Sequence, residues 1–195
     1  PYIYATADLG ETWRRITEGL PKNNGAARAL REHHRNPDLL FAGTEFGVFV
    51  SFDRGARWSP LRLNLPTVPV ADIAIHPREN DLILGTHGRS IWVLDDITPF
   101  EQMSERVRQS DLHLFDIRPA VSWRVYDYRN DHGGPGHKFF VGENPPYGAP
   151  INYYLKSAPG PSDKVLVAVA DARGRKVREF EGAKSAGVNR VHWDL

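Results

Sequence analysis

Ser51-Phe52-Asp53-Arg54-Gly55-Ala56-Arg57-Trp58 restates Thr6-Ala7-Asp8-Leu9-Gly10-Glu11-Thr12-Trp13. Hydroxyl, aspartate, glycine and tryptophan recur in the same order, with Asp8 and Asp53 45 residues apart. The same offset carries Leu20-Pro21 onto Leu65-Pro66, so the register persists beyond the motif and marks an internal repeat. A further copy begins ahead of its own turn. Asp38-Leu39-Leu40-Phe41-Ala42-Gly43-Thr44 is matched by Asp81-Leu82-Ile83-Leu84-Gly85-Thr86, with Asn36 and Asn80 just before, and Asp95-Asp96 stands where the Gly and Trp have been lost.

Within one period the signals are for strands. Val70 to His76, Asp81 to Thr86 and Ser90 to Asp95 are short β-rich runs, parted by Pro77-Arg78-Glu79-Asn80 and by Gly88. They are too short and too β-branched for a helical repeat, so the expectation is an all-β chain. A period of ~40 to 50 residues holding four strands is the mark of a propeller blade, whose sheet buries its faces against neighbouring blades. About two and a half such blades fit here, against ~4 to 8 in a closed propeller. The sequence therefore reads as a piece of a larger chain that supplies the remaining blades.

The repeated turn has a local physical reading. Ser51 and Asp53 end a strand, where short oxygen-bearing side chains accept bonds from the free N–H groups of the turn. Gly55 supplies a left-handed backbone, and Trp58 on the returning strand packs its indole over the hairpin. Thr6, Asp8, Gly10 and Trp13 repeat the device, so both tryptophans are expected to be largely buried. Asp8 and Asp53 make a poor catalytic pair, since equivalent positions of successive blades point outward at one rim and away from each other.

The pattern Ser/Thr-x-Asp-x-Gly-x-x-Trp resembles the Asp box of BNR-repeat propellers, a group that includes sialidases, xyloglucan-active hydrolases, sortilin-type receptors and photosystem assembly factors. Asn36 to Ser51, followed by Gly85-Thr86-His87-Gly88-Arg89-Ser90-Ile91-Trp92-Val93-Leu94-Asp95-Asp96, looks like the end of the propeller in large bacterial proteins of the glycosyl-hydrolase BNR or sortilin-like kind. The resemblance covers residues 1 to about 120. The last fifty residues resemble the Ig-like module appended to such propellers and to flagellar hook-capping proteins. It implies an extracytoplasmic setting, periplasmic or secreted, and a ligand face at the rim opposite the Asp boxes.

That rim carries Thr44-Glu45-Phe46-Gly47 and Thr86-His87-Gly88-Arg89, which makes Glu45, His87 and Arg89 the ligand-face candidates. A carboxylate, an imidazole and a guanidinium can bond sugar hydroxyls or clamp an acidic group, and a carboxyl raised in a dry pocket can act as a general acid. The plainer reading makes Glu45 and Arg89 solvated turn residues or an ion pair between blades. A glycosidase needs two carboxylates set ~5 to 10 Å apart, and only Glu45 stands clearly on this rim. Trp92, on an apolar strand, reads as core rather than a sugar-stacking platform.

Other chemistries find less support. With 25 Lys plus Arg against 24 Asp plus Glu, the net charge of +1 gives no case for nucleic acid or an anionic membrane surface. Zero cysteines exclude thiol catalysis and thiolate metal sites. No apolar run approaches the ~20 residues of a membrane helix. Asp131-His132 and His137 bracket Gly133-Gly134-Pro135-Gly136, and His33-His34 sits at a strand end; neither grouping makes a metal site, and no cofactor is implied. A WD-type interaction propeller has a similar period but requires a Gly-His and Trp-Asp pair per blade, and His192-Trp193-Asp194 occurs once.

The expected organisation is thus propeller blades over residues 1–97, a helical and loop linker over 98–148, and a partial Ig-like sandwich over 149–195. Thr98-Pro99-Phe100-Glu101 predicts a threonine-capped helix running to about Gln109. Leu112 to Ile117 is strand-like and leads either back to the propeller or into the next module. Tyr126 to Pro150 reads as a long connection. Strands are expected at Ile151–Lys156, Val165–Ala170, Lys176–Phe180 and Arg190–Asp194, with a hairpin turn at Asp171-Ala172-Arg173-Gly174. Four strands fall short of the about seven of an Ig-like sandwich, so further sequence or a partner is expected to cover the open edge. The leading functional expectation is a binding or scaffold module for polypeptide or glycan. The alternative is a xyloglucan-active or sialidase-like hydrolase whose cleft is completed by other blades.

Overall fold

A computed structural model describes residues 2–22, 25–122 and 142–194. The chain is mostly strand, arranged in small antiparallel sheets, and divides into two compact units, Pro1–Arg106 and Val107–Leu195. In the first unit β1 (Tyr4–Ala5) pairs with β2 (Arg14–Arg15). A central sheet follows as a four-strand meander of β3 (Ala27–Glu32), β4 (Leu40–Thr44), β5 (Gly47–Ser51) and β6 (Ser59–Leu61). The third sheet comprises β7 (Val70–Ile75), β8 (Leu82–Thr86) and β9 (Ile91–Leu94).

The central sheet is buried on both faces, which is why β4 and β5 read as continuous apolar runs rather than as alternation. Antiparallel register places Phe41 beside Val50 and Gly43 beside Val48 on one face, with Ala42 beside Phe49 on the other. Phe41, Val48 and Val50 pack with Val70, Ile73, Leu82 and Leu84 of the third sheet. Leu40, Ala42, Phe49 and Trp58 pack with Ile3, Ile16 and Leu20 of the first segment. Each fully buried Leu, Ile or Phe contributes about 1.5–3 kcal/mol relative to exposure, so these two seams hold the unit together. Strands β3 and β7 run side by side: Arg31 Nε donates to the Ile73 carbonyl at 2.8 Å. A Cβ on Gly43 would lie 2.7 Å from the Val70 carbonyl oxygen, so glycine is what admits β7 this close.

The helix expected from Thr98 to Gln109 is instead two short ones, α1 (Thr98–Glu101) and α2 (Glu105–Gln109). Ile97, not Thr98, occupies the cap position, and no side chain caps it. The Thr98 hydroxyl is used elsewhere, donating to the Asp96 carboxylate and accepting from Asn80 Nδ2 at 3.2 Å. At the other end Met103 N–H donates to the Phe100 carbonyl, a tightened last turn, and Met103 is buried in the break.

In the second unit β10 (Leu112–Leu114) and β14 (Gly187–Trp193) flank β11 (Ala149–Leu155) in one sheet, while β12 (Val165–Ala170) and β13 (Lys176–Gly182) form a hairpin. The strand-like run at Leu112 therefore leads into the second unit, where Leu112, His113 and Leu114 pair with Leu155, Tyr154 and Tyr153. The four expected strands are present, the last beginning at Gly187 rather than Arg190. The β12–β13 turn closes with Gly174 N–H donating to the Asp171 carbonyl at 2.8 Å, with Gly174 at φ 78°. Among the described residues, no helix is long and apolar enough to cross a membrane.

Candidate functional site

The two repeated turns are built alike, atom by atom. Thr6 Oγ1 donates to Asp8 Oδ1 at 2.7 Å and accepts the Gly10 N–H, while Asp8 Oδ1 accepts the Thr12 N–H. Ser51 Oγ donates to Asp53 Oδ1 at 2.8 Å and accepts the Gly55 N–H, while Asp53 Oδ1 accepts the Arg57 N–H. The left-handed backbone falls on two consecutive residues, Leu9 and Gly10 in one turn, Arg54 and Gly55 in the other. A non-glycine residue there costs about 1–2 kcal/mol, which the bonds from the aspartate and hydroxyl offset.

These bonds set the acidity of both carboxyls. The Thr12 hydroxyl, then the Thr12 N–H and the Thr6 hydroxyl, hold Asp8 at about 2. Burial pushes Asp53 up, but the Arg57 N–H, the Ser51 hydroxyl and the Arg57 guanidinium together outweigh it and hold the group below its usual range. Both aspartates are ionised turn-formers whose lone pairs point into their own loops.

The two tryptophans differ, against expectation. Trp58 is 4% exposed and its Nε1 donates to the Ile16 carbonyl at 2.8 Å, whereas Trp13 is 61% exposed and bonds the Gly10 carbonyl of its own turn. Trp58 is covered by Ile3, Ile16 and Leu20 of the strand and loop one repeat upstream.

The loops Thr44–Gly47 and Thr86–Ser90 lie at the end of the sheets opposite the Asp8 and Asp53 turns, since each caps a hairpin at the end where Gly43 meets Val70. Glu45 forms a 2.6 Å ion pair with Arg28 of the neighbouring strand β3, within one sheet. His87 is exposed and its backbone N–H donates to the Pro69 carbonyl. Arg89 is exposed and its carbonyl accepts from Trp92 Nε1 at 2.9 Å. Trp92 itself packs against the core. The three candidates thus share an end of the unit, but the ion-pair partner of Glu45 is Arg28 rather than His87 or Arg89.

At this end an open cleft of about 390 Å³ is lined by Pro21, Phe46, Pro60, Arg62, Pro66 and Thr67, among others; Glu45, His87 and Arg89 do not line it. Its volume falls in the ~300–1,000 Å³ range of small-ligand sites. Sequence reasoning passed over it, although the repeated Leu20-Pro21 and Leu65-Pro66 pairs were the available signal, since Pro21, Leu65 and Pro66 all face the cleft.

A second polar assembly lies at the opposite end. His33, fully buried, accepts the N–H groups of Arg35 and Asn36 on Nδ1, which fixes the ring proton on Nε2, where it faces Asn80 Oδ1 at 2.8 Å. Asn80 Nδ2 donates onward to Glu101 Oε2 at 2.9 Å, and Arg35 pairs with the same carboxylate. Burial pushes the His33 imidazole below its ordinary value, against the opposing pull of Asn80 and Glu101. His76 plays the corresponding part in the next turn, with Nδ1 accepting the Glu79 N–H at 3.0 Å. Among the described residues no cluster of His, Asp and Glu fits a metal ion; Asp131, His132 and His137 lie outside them. Compared with protein-family models, curated proteins and solved structures, the chain matches none.

Proposed function

We propose that the first unit is a run of Asp-box propeller blades, that the second is an Ig-like β module, and that the protein acts by binding or scaffolding a polypeptide or glycan. Support for the blade reading comes from the four-strand central meander, the repeated aspartate turns and the two apolar seams between successive sheets. The observation that carries the functional reading is the cleft lining: Arg62 is its charged side chain, set among Phe46, Pro21, Pro60 and Pro66, with no carboxylate in the wall. Proline and aromatic faces offer flat apolar contact, while Arg62 supplies a donor fork for a carbonyl, a hydroxyl or an anionic group. Such a wall supports recognition, whereas cleavage would need an acid and a base from outside it.

The hydrolase alternative asks Glu45 to act as an acid, and its carboxylate is committed to Arg28. The test is an array of glycans, polysaccharides and proline-containing peptides, read both for retention and for released reducing ends. Retention that drops at least tenfold in Phe46→Ala and Arg62→Ala, without release, is the expected result. Product release that disappears in Glu45→Gln would replace this reading with the hydrolase.

A further inference from the structure

Glu101, the last residue of α1, is gripped by three side chains from two turns of the sheets. Arg35 pairs with its carboxylate through Nε and Nη2, each at 2.9 Å, and Asn80 Nδ2 donates to Oε2 at 2.9 Å. Asn36 Nδ2 donates to the Glu101 carbonyl at 2.7 Å. One imidazole orients all three. His33, 1% exposed, accepts the Arg35 and Asn36 N–H groups on Nδ1 at 3.3 and 3.2 Å, and faces Asn80 Oδ1 through Nε2 at 2.8 Å.

Only the neutral ring protonated on Nε2 can serve both turns at once, since a histidine nitrogen either donates or accepts. A second proton has one place to go, the lone pair of Nδ1, and there it turns an acceptor into a donor aimed at two donors. The Arg35 and Asn36 N–H groups then lose their partner, and the turn that carries them must move aside. The charged groups acting on the ring are Glu101 from α1 and His34 and Arg35 from its own turn, while the 77–80 turn presents the neutral Asn80 amide. Glu101 Oε2, 3.9 Å from Nε2, draws the second proton in, but its charge is already matched by Arg35, and His34 and Arg35 both oppose that proton.

Beyond the grip on Glu101, α1 rests on the sheets through Pro99 and Phe100. It is four residues long, no side chain caps it, and a helix so short does not persist alone in water. The sheets beneath are held separately, by the apolar seam of Phe41, Val50, Ile73 and Leu82. We propose that His33 works as an acid-released clasp: protonation of Nδ1 turns the Arg35–Asn36 turn aside, frees Glu101 and lets α1 come away from sheets that stay folded. Release bares Pro99 and the Phe100 ring, which otherwise stands edge-on to Phe52 at 5.9 Å. The device is independent of what the cleft binds.

The test is hydrogen exchange of the 195-residue chain from pH 7.5 to 4.5, corrected for the intrinsic effect of pH, beside an NMR titration of the His33 ring. The Glu101 and Gln102 amides donate to the Ile97 and Thr98 carbonyls. Their protection should fall about tenfold or more with the midpoint of His33, while the amides of β4 and β5 keep theirs. His33→Gln, whose amide does not titrate, should keep the protection of α1 flat across that midpoint. The wild-type comparison needs no substitution, so it decides the matter whether or not this variant folds. Loss of protection in α1 and the sheets together, protection of α1 unchanged through the His33 midpoint, loss that follows the titration of Glu101 or Asp96 instead, or a ring still neutral at pH 4.5 would each overturn the proposal.

Discussion

Trp58 Nε1 reaches back 42 residues to the Ile16 carbonyl, at 2.8 Å, and so joins the central sheet to the sheet before it. Gly55 lies under the same seam, where a Cβ would come 2.6 Å from Ile16 Cδ1. Trp58→Ala removes a buried indole and its hydrogen bond and should cost about 3–5 kcal/mol. Trp13→Ala, at the same place in the repeat but exposed, should cost under about 1 kcal/mol. Urea unfolding of the two variants, followed by far-UV circular dichroism, compares them directly. Equal losses would mean that position in the motif, rather than the covering segment, sets the energy.

This pair also shows what the sequence could and could not reveal. The turns were legible because their chemistry is local: hydroxyl, aspartate and glycine sit within five residues and bond one another. Strand positions were legible for the same reason, since alternation and turn residues are short-range signals. Burial of the tryptophans was not, because Trp13 and Trp58 hold the same place in the repeat and differ in what packs on them. His33, Asn80 and Glu101 were likewise invisible as a group, being brought together across 47 and 21 residues, and the cleft joins Pro21, Phe46 and Arg62 from three separate segments. The broken helix follows from the same cause, since Thr98 bonds Asn80 and Asp96 in place of capping its own helix.

His33 should make the first unit sensitive to mild acid. Burial lowers its folded pKa below 6.5, so the unfolded chain binds a proton that the folded one refuses. The resulting stability is present above pH 6.5 and is lost as pH falls from 6.5 toward the folded value. Glu101 limits the effect, while His34, stacked on the ring at 4.7 Å, and Arg35 strengthen it. Thermal melts at pH 7.5 and 5.0 should show a drop for the wild type and a smaller drop for His33→Gln, whose neutral amide does not titrate. An identical pH dependence in both proteins would remove His33 from the account.

Asp8 should titrate at about 2, with the Thr12 hydroxyl the largest single cause. Its contribution to stability is present above the ordinary carboxyl value of 3.8 and is lost as pH falls through about 2. Thr12→Val keeps the backbone donor and deletes the hydroxyl, so the carboxyl midpoint followed by carbon-detected NMR should rise toward 3.8 without reaching it. A midpoint unmoved by the substitution would show that the hydroxyl does not bond the carboxylate in solution.

Gly182 should be required by a single phenol in the second unit. Tyr153, 3% exposed, donates its hydroxyl to the Ala183 carbonyl at 2.6 Å, and a Cβ on Gly182 would lie 2.4 Å from that oxygen and 3.0 Å from the ring carbon bearing it. The ring is buried and its hydroxyl is held by the Ala183 carbonyl, so Gly182→Ala should destabilise the fold by about 1–3 kcal/mol. Tyr153→Phe alone should cost about 0.5–1.5 kcal/mol for the lost bond. The two effects should not add: without the hydroxyl the closest clash disappears, so Gly182→Ala in the Tyr153→Phe background should cost about 1 kcal/mol less than in the wild type. Denaturant midpoints of the four proteins complete the cycle, and strict additivity would place the strain of the alanine elsewhere than against the Tyr153 hydroxyl.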